Sequence, residues 1–271
     1  MLATRAAPNG AVLVAYSRWR LMGENVDAGS HVADRYLDGS YLDANPTWHD
    51  EDAPIKAGWV VEILGAHPEI SLGSICDVGC GTGGVLESLR DRLGKDVRLT
   101  GFEPSQDAVR IAREKRPELQ IIERGARAED GPFDVAVVLD VFEHVEDYLG
   151  FLRGLQGLAD RYVFLVPLDM TGLNIALPRQ FMELRQTLGH LHHFSPQTAR
   201  ASLTDTGYQI VESRFMLVAD DEAGLPAHRR IVRRVRRVGW RLAPDFTARM
   251  IGGLALLVLA QGGQRPPNAL P

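Results

Sequence analysis

Asp140, Glu143 and His144 fall within a single turn's length of chain in LDVFEHVED, and three more imidazoles, His190, His192 and His193, crowd GHLHHFSP. A histidine with an unperturbed pKa near 6.5 can carry a proton at neutral pH, and neighbouring carboxylates tune that pKa or share a cation with it. His144 is the leading catalytic candidate, as a general base with Glu143 beside it. The same cluster could instead scaffold its own turn, or ligate an ion through Asp140, Glu143, His144 and His192. Oxygen and imidazole donors in this mix suit Mg²⁺ or Mn²⁺ better than structural zinc. Metal ligation is the less favoured reading, and no metal is expected as a requirement.

A second constellation is ICDVGCGTGGVLESL, where Asp77, Gly79, Cys80, Gly81 and Gly83 stand between an apolar run and an amphipathic one. Glycines there allow a sharp turn and a close approach of ligand to backbone. Gly79, Gly81 and Gly84 also satisfy G-x-G-x-x-G, and Glu103 follows roughly 20 positions on, as a dinucleotide site requires. An NAD(P)-dependent oxidoreductase is therefore an alternative on spacing. Asp77 argues against it, because a carboxylate just before the first glycine opposes a pyrophosphate at a helix N-terminus and favours a cofactor with a cationic end. Glu103 suits a diol, since a carboxylate accepts two hydroxyl protons without a counter-charge.

The elements that must position these groups alternate from about residue 71. Short β-branched runs at about 74–78, 97–102, 119–123, 134–139 and 162–167 predict strands, and amphipathic stretches at Gly84 to Leu93, Ser105 to Lys115 and Glu146 to Leu158 predict helices. That alternation predicts a mostly parallel sheet with helices on both faces. A long connection over 168–194 follows. Ser195 and Pro196 then open a helix that Gly207 closes, and strands are expected at Tyr208 to Val218 and Gly253 to Gln261.

The segments DVGCGTGG, GFEPSQDAVRIARE and FDVAVVLDVFEHVED resemble the class I SAM-dependent methyltransferase family (SAM, S-adenosylmethionine) over roughly residues 71–261. The resemblance implies an α/β fold: a seven-stranded, mostly parallel Rossmann-like sheet with an N-terminal helical lid and a helical insert before the last strand. It implies one domain over 1–271, with the lid at 1–70, the core at 71–218 and 251–262, and the insert at 219–250. By position, Asp77, Gly79 and Gly81 would meet the methionyl end of SAM, with Cys80 and Gly83 in the same loop. Glu103 would take the ribose diol and Pro104 flank the adenine. The backbone of Arg127 and Ala128 would meet its amine, since GARAED lacks the family's usual Asp there. Asp140 would close the cofactor site. The D-x-x-E-H pattern with a later His is similar to the E-x-x-E-H plus His of metal-assisted 2'-O-methyltransferases of small RNA and of ubiquinone-pathway O-methyltransferases. The expected activity is methyl transfer to an oxygen or nitrogen of a small-molecule or sugar-containing metabolite. A SAM-binding protein without turnover is the non-enzymatic alternative.

Ahead of the core, NPTWHDEDAPIKAGW places Trp48 and His49 where a lid would line an acceptor pocket, with Asp50 to Asp52 available to cap the helix Pro54 to Leu64. Near the other end, HRRIVRRVRRVGWRL carries Arg229, Arg230, Arg233, Arg234, Arg236, Arg237 and Arg241 around an apolar stripe of Ile231, Val235, Val238 and Leu242. An ordinary helix covering the sheet is the favoured reading, and an anionic partner or membrane surface the other. The formal net charge is -5, and without those seven arginines 23 basic residues face 35 acidic ones, a balance of -12. No protein-wide nucleic-acid surface is expected from such a charge. Cys76 and Cys80 read as buried free thiols, no run is long enough for a membrane span, and MLATRAAPNG shows no secretory pattern. A cytoplasmic location follows as the expectation.

Overall fold

The computed structural model describes residues 45, 47, 48, 50–177, 179–218 and 227–263. His49, one of the expected pocket residues, lies outside them. One seven-stranded sheet runs in the order β3-β2-β1-β4-β5-β7-β6. Its strands are β1 (Ser74–Val78), β2 (Arg98–Phe102), β3 (Gln120–Ile122), β4 (Phe133–Leu139), β5 (Ala159–Pro167), β6 (Gln209–Leu217) and β7 (Leu254–Gln261). β7 is antiparallel to both β5 and β6, and the other pairs are parallel. The mostly parallel Rossmann-like sheet is thus as expected.

β4 reads FDVAVVL, with every residue but Asp134 buried, and β7 is buried from Leu254 to Ala260. Such near-continuous apolar runs belong to strands covered on both faces. The covering helices are α1 (Ala53–Gly65), α2 (Gly84–Leu93), α3 (Gln106–Lys115), α4 (Tyr148–Gly154), α5 (Gly172–Ala176), α6 (Arg179–Thr187), α7 (Pro196–Asp205), α8 (Ala227–Leu242) and α9 (Pro244–Met250). One apolar layer joins Val60, Ile63 and Leu89 to Val135, Val137 and Leu257, and the other joins Leu152, Leu155, Ala199 and Ala248 to Ala136, Phe164 and Leu256.

Capping chemistry sets several helix starts. Ser105 Oγ accepts from the Ala108 N–H, Asp147 from Gly150, and Ser195 from Thr198 with Pro196 in the first turn. Three expectations need correction. The 168–194 connection carries two short helices, α5 and α6. The helix expected over 146–158 ends at Gly154, where a turn through Gly157 (φ +90°) feeds a strand that starts at Ala159. Third, the apolar stripe of α8 faces outward: Ile231 is 63% exposed and Leu242 81%, while Trp240 points inward and donates its Nε1–H to the Phe215 carbonyl at 2.7 Å.

The order of strands locates the site. From β1 the chain builds outward to β3 on one side, then returns to β4 on the other, so the crevice of this sheet opens past the C-terminal ends of β1 and β4. Asp77, Glu103, Asp140 and Asp169 all sit at or just beyond such ends.

Candidate active site

The loop after β1 turns through Gly79, Gly81 and Gly83, with φ of +73°, +54° and +84°. A Cβ at Gly79 would stand 2.9 Å from Val141 Cγ2, so both its backbone conformation and its neighbour demand glycine. The Gly79 and Cys80 N–H groups both donate to the Phe102 carbonyl, at 2.8 and 3.2 Å. Glu103, the next residue after β2, is buried; its Oε2 accepts from Gly81 N–H at 2.9 Å and its Oε1 from Ser105 N–H at 2.8 Å. Each oxygen keeps acceptor capacity for a hydroxyl. Burial raises the Glu103 pKa, with the two N–H bonds opposing. Asp77 is also buried, and burial followed by the charge of Glu103 pushes its pKa to about 7 against the pull of Lys56. Two buried carboxylates beneath a glycine loop form a cradle for a ligand carrying a diol and a cation.

The segment before α1 reaches over this loop. Trp48, itself at φ +51°, lies against Gly81, whose added Cβ would be 3.7 Å from the indole. Asp50 does not cap α1 as expected: its Oδ1 accepts from Thr82 Oγ1 at 3.0 Å and its Oδ2 from Arg116 Nη2 at 2.9 Å. Arg116 also donates to the Thr82 carbonyl and to Glu87, so one guanidinium ties the segment before α1 to the glycine loop.

Asp140 follows β4 in the left-handed region at φ +53° and pairs with Lys56 of α1 at 2.9 Å. A 3-10 turn, Phe142–His144, then drops Phe142 into an aromatic cluster with Tyr148, Phe164 and Phe194. That anchor buries Glu143 completely, and neither of its carboxylate oxygens meets a hydrogen-bond donor. Burial, then the charge of Asp140, drives its pKa well above the usual carboxylate range. His144 donates its Nδ1–H to the Gly189 carbonyl at 3.1 Å and holds Nε2 3.7 Å from Glu143 Oε1. Burial, then the neighbouring His190, lowers its pKa to about 4.

The Glu143 carbonyl accepts from Leu191 and His192 N–H, which pins the GHLHHF stretch against the turn and decides which imidazole enters. His190 enters: its ring meets that of His144 edge-on at 5.0 Å, and ligating atoms of Glu143, His144 and His190 lie within 4.8 Å of one another. His192, the histidine chosen on sequence, instead donates Nε2–H to the Val145 and Glu146 carbonyls and packs on Tyr148. Its ring is held by the backbone, and Asp140 is engaged by Lys56; neither joins the group. Asp169, beyond β5, accepts from His190 Nδ1 at 2.5 Å and approaches His193 at 3.6 Å. Burial would raise the Asp169 pKa, but these histidines outweigh it and hold it at about 2. Asp169 and Arg116 are the site residues that the sequence missed, and His190, named with its cluster, was passed over for His192; an acid just past a strand end was the available signal for Asp169.

A cavity of about 270 Å³ lies beside the cluster, walled by Ile55, Lys56 and Trp59 of α1, by Asp140 and His144, and by Leu165 and Val218. Among the remaining expected residues, Pro104 is exposed beside Glu103, and Cys80 is buried with its thiol pKa raised by burial. The Arg127 N–H is taken by Asp130 Oδ2 at 2.8 Å, and Ala128 opens a 3-10 turn next to it.

A methyltransferase-domain family profile matches residues 50–213. The chain belongs to the class I SAM-dependent methyltransferases. This methyltransferase is 30% identical over 126 residues to the ubiquinone biosynthesis O-methyltransferase of Bordetella parapertussis, covering 43% of this chain and 50% of the relative. It is 31% identical over 147 residues to the trans-aconitate 2-methyltransferase of Afipia carboxidovorans, covering 52% and 56%. The chain thus spans about half the length of these curated relatives. In fold it is like the magnesium protoporphyrin IX methyltransferase of Synechocystis PCC 6803 with bound SAH (S-adenosylhomocysteine; 17% identity, TM-score 0.51, 92% of this chain and 95% of that one). It is also like a cyclopropane synthase of Mycobacterium tuberculosis (13%, 0.54, 87% and 99%).

SAM, the methyl donor on which this family depends, would supply an electrophilic methyl group on a sulfonium. The residues of the cradle fit it, since Glu103 would take its ribose diol and Asp77 would face its cationic end. Asp77 gives a pH signature. Its folded pKa lies above the unfolded value of about 3.9, so in the ligand-free protein its ionisation opposes folding as pH rises toward 7. A cation beside it favours the ionised form, so SAM affinity is expected to rise about tenfold between roughly pH 6 and 8 and to level off above. Calorimetry on the wild type and on Asp77→Asn checks this, since the variant should lose the slope; equal slopes would separate Asp77 from the cation.

Proposed function

We propose that this enzyme methylates an oxygen of a small acceptor bound in the cavity beside α1, with the acceptor's proton handled at Glu143, His144 and His190. The observation that carries the reading is Glu143, a fully buried carboxylate with no hydrogen-bond donor, packed against two imidazoles whose Nδ1 atoms are already engaged. An uncompensated carboxylate in such a place calls for a proton or a cation. The donor set fits a divalent ion: one carboxylate and two imidazoles, with Asp169 on His190 as the carboxylate–histidine support that metal ligands commonly have. An ion there would lower the pKa of an acceptor hydroxyl. Lys56 and Asp140 would orient a polar end of the acceptor, and Ile55, Trp59 and Leu165 would hold an apolar body.

Oxygen rather than nitrogen is supported by the names of the relatives, one an O-methyltransferase and the other acting on trans-aconitate, a small carboxylic acid. His144 acting alone as a metal-free base is the second reading, favoured by its place on the cavity wall. Cys76 and Cys80, both buried and unbridged, fit a reducing compartment, and we assign the enzyme to the cytoplasm on that ground.

Transfer of label from methyl-labelled SAM to a panel of hydroxyl, carboxyl and amine acceptors, with and without chelator, tests the proposal. We expect label on oxygen acceptors only, lost with chelator and restored by Mg²⁺ or Mn²⁺. Label on amines alone overturns the O-transfer reading. Turnover indifferent to chelator overturns the ion and leaves His144 as the base.

A further inference from the structure

Helix α8 carries a surface that neither cofactor binding nor methyl transfer uses. Its sequence, AHRRIVRRVRRVGWRL, contains seven arginines and no acidic residue, in a chain whose net charge is -5. The apolar residues Ile231, Val235, Val238 and Leu242 recur at spacings of 4, 3 and 4, one stripe of a helix. Packing would normally bury such a stripe. Here it is exposed, with Val235 at 46% and Val238 at 57%, because the opposite side of the helix docks through Trp240 onto Phe215 of β6. Arg234 and Arg241 border the stripe, are exposed, and make no ion pair among the described residues. Aliphatic side chains in a row with guanidinium groups at their edge match the boundary of a lipid monolayer, where acyl chains lie just below phosphates. Guanidinium binds phosphate in a planar fork and is weakly hydrated, which suits that depth.

We propose that α8 docks the enzyme on an anionic lipid surface, its aliphatic stripe entering the acyl boundary and Arg234 and Arg241 meeting the headgroup phosphates. The charge asymmetry favours this occupant. With the helix set aside the chain carries -12, so an anionic surface attracts α8 and repels the rest, which fixes the orientation of approach. Docking would set the acceptor cavity near the lipid, because Val218, one of its walls, directly follows the strand that Trp240 grips. This inference stands apart from the acceptor reading, since it needs neither the ion nor the methyl transfer.

Co-sedimentation of the full chain with vesicles of phosphatidylcholine alone, and of phosphatidylcholine with about one third phosphatidylglycerol, tests it. We expect the protein to pellet with the mixed vesicles, to stay in solution with the neutral ones, and to be released by salt. The double variant Arg234→Glu/Arg241→Glu, and separately Val235→Asp, should weaken partition at least about tenfold, from roughly fivefold per basic residue near an anionic surface. Arg234→Lys/Arg241→Lys should retain it. All three positions are exposed, so melting and turnover on a dissolved acceptor should match the wild type, which reports that the variants are folded. The proposal is overturned if the wild type ignores the mixed vesicles, binds neutral ones equally, or is matched by the Glu and Asp variants. It is also overturned if light scattering finds a dimer that those variants dissolve, which would give the face to a second copy of the chain.

Discussion

Glu143→Gln is expected to lower methyl transfer by about 10² to 10⁴, the range for loss of a group that manages the acceptor's proton, with little change in SAM affinity. The side chain belongs to the Glu143, His144 and His190 group, whereas the glycine loop's carboxylate partners are Asp77 and Glu103. His190→Ala should fail to a similar degree and lose the bound ion, read by metal analysis of the purified protein. The leucine variant sharpens the test. Glu143 lies in full burial with both oxygens unsatisfied, so an apolar side chain of similar size removes a desolvation penalty. Glu143→Leu is therefore expected to be as inactive as the Gln variant yet to melt higher by roughly 2–4 °C, the shift for about 1 kcal/mol at this chain length. A lower melting temperature together with retained turnover would assign Glu143 to the framework. If His144→Ala alone were inactive while His190→Ala kept most turnover, the metal-free base would stand.

Glu103→Ala carries the second large effect. A hydrogen bond to a charged group contributes about 1.5–3 kcal/mol, so losing the diol acceptor should weaken SAM binding by roughly 10- to 150-fold. The same carboxylate receives the part-buried Gly81 and buried Ser105 N–H groups, so its removal also orphans two donors and loosens the loop. The two contributions can be separated with a cofactor analogue lacking one ribose hydroxyl. Wild type should bind that analogue less well than SAM, whereas Glu103→Ala should barely distinguish them, a coupling read directly from a double-mutant cycle. Equal discrimination in both proteins would move the diol away from Glu103.

The sheet was legible because its strands announce themselves. FDVAVVL and LALLVLA are apolar runs of strand length, and Ser195-Pro196 starts a helix by local hydrogen-bonding chemistry. The glycine loop was legible because its turn at a strand end needs positive φ angles that glycine adopts, and Glu103 because an acid directly follows the next strand. Groups placed by tertiary contact were not. Arg116 sits at the end of α3 in REKRPELQ, where it reads as one more solvated charge, yet it reaches 66 positions back to Asp50. In GHLHHF no helical or strand period says which histidine turns inward; the answer lies in two N–H bonds to a carbonyl nearly 50 residues earlier. Period revealed the stripe on α8, but the direction it faces depends on which residues anchor the helix, among them Trp240 on the Phe215 carbonyl and Arg236 on the Ile251 carbonyl.

The turn that carries Trp48 and Asp50 leads straight into α1, and α1 supplies Ile55, Lys56 and Trp59 to the cavity. One continuous segment therefore borders both the glycine loop and the cavity. Lifting it to let spent cofactor out breaks the Asp50 contacts with Thr82 and Arg116 and, through the continuous chain, displaces a wall of the acceptor chamber. On the proposed function, departure of both products would be linked to that one opening, and its pace, not that of the bond exchange at sulfur, would set the ceiling on the cycle.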